Sequence, residues 1–95
     1  MKLNFDFKLI DWSGNEITGA AEAMTGVLTA GTTTDERYLD KINLWGRMIA
    51  AGEDLEVDEI DAKEIKSMIM SSQLINPAKA TLKNYIQDTI DGEKL

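Results

Sequence analysis

The chain has no cysteine, no histidine, a single proline, and two each of Phe, Tyr and Trp. Without cysteine there is neither a disulfide framework nor a thiolate metal site. Without histidine there is no Ser-His-Asp arrangement, no Cys-His pair and no imidazole zinc site. A Ser-Lys pair is the remaining route to a nucleophile. Ser67 follows Lys66 directly, and adjacent helical residues do not face each other, so the spacing brings no base to the hydroxyl. Phosphate-cradling Gly-x-x-x-x-Gly-Lys is missing, and the scattered glycines match no dinucleotide fingerprint. These absences make a non-enzymatic protein with no cofactor the expectation. No apolar run approaches membrane-spanning length, and the opening residues alternate instead of forming a basic-then-apolar leader. A cytosolic protein with no membrane partner follows as an expectation. Cations are also scarce: Lys and Arg total 10 against 17 Asp and Glu, a net charge of −7. Nucleic acid binding needs Lys and Arg to neutralise phosphate, so that partner is disfavoured. The acid excess reads most simply as solubility and mutual repulsion of monomers.

What is present suits one folded domain spanning residues 1–95. Apolar residues make up 43% and charged residues 28%, ordinary values for a globular chain of this length. The opening "MKLNFDFKLIDWSGNEI" places Leu3, Phe5, Phe7 and Leu9 in alternation with polar residues. A period of two marks a strand with one dry face. Ser13, Gly14 and Asn15 supply a turn and Glu16–Thr18 a return strand, so residues 2–20 read as a β-hairpin. "AAEAMTGVLTAG" carries Ala20, Met24, Val27 and Leu28 at helical spacing and stops at Gly31.

"TTDERYLDKINLWGRMIAAG" is the strongest helix signal. Thr33 and Glu36 have capping-box spacing. Tyr38, Ile42, Trp45 and Ile49 form one stripe, widened by Leu39 and Met48, and Gly52 ends it. Gly46 inside this helix costs about 1 kcal/mol relative to Ala, and a close backbone contact beside Trp45 would explain it. Leu55 and Val57 read either as a short third strand on the hairpin or as an extended linker plugging the core. Asp58 caps the next helix, with Ala62, Ile65, Met68 and Ile69 on one face. The last helix is expected to begin with Asn76 as cap and Pro77 at the first position, to bury Leu82, Tyr85, Ile86 and Ile90, and to end at Gly92. The fold class is therefore α+β: an N-terminal β-hairpin, with or without a third strand, packed against three to four α-helices. The stripe Tyr38–Ile49, with Leu82–Ile90, is the expected cover for the Phe5/Phe7 face.

Two candidate contact sites emerge. Glu53, Asp54, Glu56, Asp58, Glu59 and Asp61 crowd into one acidic stretch. A calcium loop from Asp54 fails at its sixth place, Glu59 instead of Gly, and at its twelfth, Ile65 instead of Glu. The stretch then reads as a helix start rich in acids for dipole reasons, or as a partner-facing patch. Met68 and Met70 are about 200° apart on a helix and cannot share one core face. They mark either a wrapping core or an adaptable protein contact.

Gly14, Trp45, Gly52, Leu55, Val57, Asp58, Asp61, Ile65 and Lys66 fall in a pattern that resembles small acidic proteins of tailed phages and prophages. The opening hairpin, the "WGRMIAAGEDLEVDEIDAKEIKSMI" middle and the terminal "AKATL" carry the resemblance. It implies a non-enzymatic interaction protein, such as a tail-assembly chaperone or a minor structural component, with no catalytic residue to transfer. Its partner would be a phage structural or host protein, homo-oligomers are compatible with it, and its place would be the host cytoplasm or the virion. The alternative is a phage-encoded inhibitor of a host defence protein, acting through the acidic surface or by sequestering a ligand in a pocket between protomers.

Overall fold

The computed structural model describes residues 1–94. Chain order is β1 (Lys2–Leu3), β2 (Lys8–Ile10), β3 (Glu16–Gly19), α1 (Ala20–Ala30), α2 (Glu36–Ala50), β4 (Leu55–Glu56), α3 (Glu59–Ser71) and α4 (Asn76–Glu93). The architecture is α+β, as the alternating start and striped remainder imply.

The opening strand is broken in two, and the break has a local cause. Asn4 Oδ1 accepts the Asp6 N–H at 2.8 Å, and the Phe7 N–H donates to the Phe5 carbonyl at 2.9 Å. An Asx-type side chain and a two-residue hydrogen bond together bend the backbone over residues 4–7. The halves then pair separately. β2 pairs antiparallel with β3, whereas β1 pairs antiparallel with β4 in the register Lys2↔Glu56, Leu3↔Leu55. Residues 55–56 are thus a strand, but not a third strand on the hairpin; among the described residues the strands form two small sheets. The hairpin itself is confined to residues 8–19.

The dry face of the opening segment is covered by the second of the two expected stripes, Leu82–Ile90 of α4, while Tyr38–Ile49 of α2 packs elsewhere. Leu3, Phe5 and Leu9 are buried and Phe7 is half-buried. Tyr85 of α4 stands edge-on to both rings, with centroids 5.6 Å from Phe5 and 5.2 Å from Phe7. Its hydroxyl accepts the Asn4 N–H at 2.7 Å. Helix α4 lies along β1 and β2, while α2 packs on α1 and β4. Trp45 and Ile49 are buried there. The deepest layer of the core joins Leu3, Leu9, Met24, Leu55, Ile65, Ile69, Leu82, Ile86 and Ile90.

Helix boundaries follow cap chemistry. α2 is capped by Asp35, not Thr33: Asp35 Oδ1 accepts the Arg37 N–H at 2.9 Å and the Tyr38 N–H at 3.3 Å. Thr33 Oγ1 instead accepts the Asp35 N–H at 3.1 Å, one step upstream. Asp is the stronger N-cap of the two, and the shift leaves the apolar stripe unmoved. At the other end Gly52 takes φ +78°, the Gly52 N–H donates to Ile49 and the Glu53 N–H to Met48, which is the Schellman closure. Asp58 caps α3 through the Asp61 N–H at 2.7 Å.

α4 begins one residue earlier than its cap chemistry suggests. Ile75 is the N-cap and Pro77 the second helical residue; first-turn donors lack intrahelical partners anyway, so proline costs nothing at either place. α4 also runs through Gly92 to Glu93. Gly46 makes no close approach: a Cβ there would meet no atom within 4 Å.

Candidate functional site

The predicted acidic residues fall on three consecutive pieces, the exit from α2, β4 and the start of α3, and most are held by neighbours. Glu53 donates its backbone N–H to Met48. Asp54 accepts a hydrogen bond from Asn4 Nδ2. Glu56 meets the Met1 amino group at 3.2 Å. Asp58 is spent as a cap. Glu59 lies 2.8 Å from Lys94 Nζ and 3.8 Å from Lys63 Nζ. Asp61 binds Lys41 Nζ at 3.0 Å. The hydrogen bond from Lys94, then the charge of Lys63, holds the Glu59 carboxyl below its ordinary range, and the same contact raises Lys94. On the neighbouring flank, burial pushes the Tyr38 phenol up, with the Glu64 and Asp61 carboxylates adding to the shift. Among the described residues no cluster of acids is arranged to hold a metal ion. These contacts pin one segment to another: β4 to β1, α3 to α2, and α3 to the end of α4.

The two methionines separate as their spacing demands. Met68 is half-buried over Gly31, where an added Cβ would come 2.8 Å from its Cε. Met70 is half-exposed. Ile69 between them is fully buried. Ser67 lies in the trough between α1 and α3, while Lys66 Nζ donates to Gln87 Oε1 at 2.7 Å.

A residue that the sequence reading passed over is the most exposed large apolar side chain among those described. Trp12, in the turn after β2, is 81% exposed, and Ile10, the last residue of β2, is 51% exposed. The turn that carries Trp12 is heavily bonded. The Asp11 N–H donates to the Asn15 carbonyl at 2.8 Å and the Gly14 N–H to the Asp11 carbonyl at 3.1 Å. Asp11 Oδ1 accepts the N–H groups of Ser13 and Asn15, each at 2.9 Å. Gly14 takes φ +87°, a left-handed conformation that glycine adopts without strain. Lys8 and Glu16 pair at 3.3 Å across the strands beside Ile10. The indole therefore projects from a turn whose backbone is already ordered. The missed signal was the continuation of the period-two pattern on the wet face: Lys8, Ile10, Trp12.

Two grooves flank α1. One, of about 470 Å³, lies between α1 and α2 and includes Leu28, Leu39, Ile42, Gly46 and Arg47. The other, of about 810 Å³, lies between α1 and α3 and includes Glu22, Glu64 and Met68. No described helix is long and apolar enough to cross a membrane. No protein family profile, curated protein or solved structure matches this chain.

Proposed function

We propose that this chain is a non-enzymatic interaction protein that works by contact through the tip of its β2–β3 hairpin. The observation that carries the reading is Trp12, an indole 81% exposed on a turn already ordered by four hydrogen bonds. Burying a large rigid aromatic against a partner yields much binding energy for little lost freedom, and tryptophan is enriched among the residues that dominate interfaces. Ordering the turn in advance lowers the cost of docking further. Ile10, 51% exposed at the end of β2, adds a second exposed apolar side chain two positions away. The resemblance to small acidic proteins of tailed phages and prophages supplies the setting: an assembly factor or minor structural component, meeting a phage structural protein in the host cytoplasm or on the virion. The alternative, an acidic inhibitor of a host defence protein, draws less support, because Asp54, Glu56, Asp58, Glu59 and Asp61 already have partners within the chain.

Affinity capture from phage-infected or lysogenic cells, with wild-type and Trp12→Ala baits side by side, tests the reading. A tail or capsid protein retained by the wild type and lost from the variant is the expected result. Identical captures with both baits would overturn it. An immune nuclease or sensor released by moderate salt would favour the acidic alternative, since exposed charge contacts weaken with ionic strength.

A further inference from the structure

We infer that the groove between α1 and α2 receives the hairpin tip of a second copy of this chain, so that the protein self-associates head to tail. The inference rests on the reading of Trp12 as a contact residue and names one occupant for the surface it meets.

The groove is built to be open. Leu28 and Ile42 lie along it, and Leu39, 54% exposed, stands at its rim. Gly46 lowers the α2 wall. A glycine inside a helix weakens that helix, yet the chain's own packing does not require this one, since an added Cβ would meet nothing within 4 Å. What its missing side chain does provide is width. The volume, about 470 Å³, falls in the range of sites that enclose small ligands, ample for one indole.

Charge selects the occupant. Among the described residues lining this groove, Arg47 carries the only charge, and it is positive on a chain of net charge −7. The hairpin tip presents Trp12 next to Asp11. The Asp11 carboxylate gives Oδ1 to the turn and leaves Oδ2 to meet a guanidinium, while the indole meets a trough of Leu28, Leu39 and Ile42 edged by threonines and Asn43; the Arg47 guanidinium can also lie over the indole face. The groove on the other side of α1 holds Glu22 and Glu64 and would repel the same tip. Tip and groove are different surfaces, so the contact is heterologous: it closes into a ring or runs on as an open filament. One side chain and its neighbours bury little area, and two chains of like net charge repel. The association is therefore of the weak class and shows itself at high concentration.

Sedimentation velocity on the full chain, from about 10 μM to about 1 mM, reads the outcome. The wild type is expected to sediment faster as concentration rises. Trp12→Ala and Gly46→Leu are each expected to stay monomeric, the first lacking a tip and the second a groove. An equimolar mixture of the two should recover a dimer and nothing larger, because one intact tip then meets one intact groove. Leu39→Glu, at an exposed rim position, provides a groove variant with no risk to the core and should also remain monomeric. Wild-type protein that stays monomeric throughout overturns the inference, as does association that survives any one of the three substitutions, or a mixture that fails to recover the dimer. The paired-bait capture decides the underlying reading separately. A monomeric wild type that still loses a phage partner on Trp12→Ala would sink self-association alone.

Discussion

The hairpin tip and the acidic segment 53–61 are opposites in how they use their side chains. The acidic segment looks like a surface built for a partner, yet it spends its carboxylates on Asn4, the Met1 amino group, a helix cap, Lys94 and Lys41. Of its three apolar residues, Leu55 and Val57 are buried and Ile60 is 75% exposed, at the start of α3. The tip buries none of its own. Its polar groups are satisfied within the turn, and its apolar side chains, Ile10 and Trp12, face out. A charged stretch with internal partners acts as structure, and a large apolar residue with none is a surface waiting to be covered. Density of charge in the sequence is thus a poor guide to where a chain meets others; what matters is which groups the fold leaves without a partner.

The contrast can be broken most forcefully at Leu55. It is 1% exposed and pairs with Leu3 across β1–β4. Leu55→Ala should destabilise the protein by about 2–5 kcal/mol, measured as a lower urea midpoint. A loss under 1 kcal/mol would mean that the acidic segment is not part of the framework.

Asp58→Ala comes next. Losing the α3 cap should cost about 1 kcal/mol, and Asp58→Asn should restore most of it, because either side chain can accept the Asp61 N–H. Equal losses in the two variants would show that charge, not capping, is what matters there. Gly46→Ala is expected to raise stability by up to about 1 kcal/mol, since the new methyl meets no atom within 4 Å. Destabilisation would reveal a contact at that wall of the groove.

Smaller again is the pH response of Glu59. Its folded pKa is lowered from the ordinary 4.5 by the Lys94 hydrogen bond. The stability it contributes is therefore complete above the unfolded-state value and is lost as pH falls through the lowered folded one. Glu59→Gln should flatten the acid limb of thermal stability between about pH 5 and 2, and added salt should do the same to the wild type. The smallest expected effect on folding is at Trp12. Trp12→Ala should change the unfolding free energy by no more than about 0.5 kcal/mol, as for surface positions without structural contacts. A larger loss would move the tip into the same class as the acidic segment and erase the distinction.

Much of the fold was legible in local pattern. Period-two alternation marked β2 and the dry side of the opening segment. Stripes at helical spacing marked α1 to α4, and Gly52 and Asp58 marked their own helix ends correctly. The errors came where a second local interaction competed. Asn4 bends the opening strand, and Asp35 outcompetes Thr33 for the cap. The acidic stretch stood out because charge is visible in sequence while the distant partners of Asp54, Glu56, Glu59 and Asp61, 20 to 55 positions away, are not. Trp12 was missed for the converse reason. An aromatic beside a turn resembles any other core residue until every element that could cover it has been placed.

The amino-acid sequence alone determined the element types, most of the buried stripe on each helix, and the lack of His- or Cys-based chemistry, because periodicity, caps and residue inventory are local properties of the chain. Only the tertiary structure decided that α4 and not α2 covers the phenylalanines, that β4 joins β1 instead of the hairpin, and that Trp12 is left bare while most of the acids are engaged. Those outcomes depend on which surfaces meet across long stretches of chain, and a contact between distant residues leaves no mark on the spacing of either one.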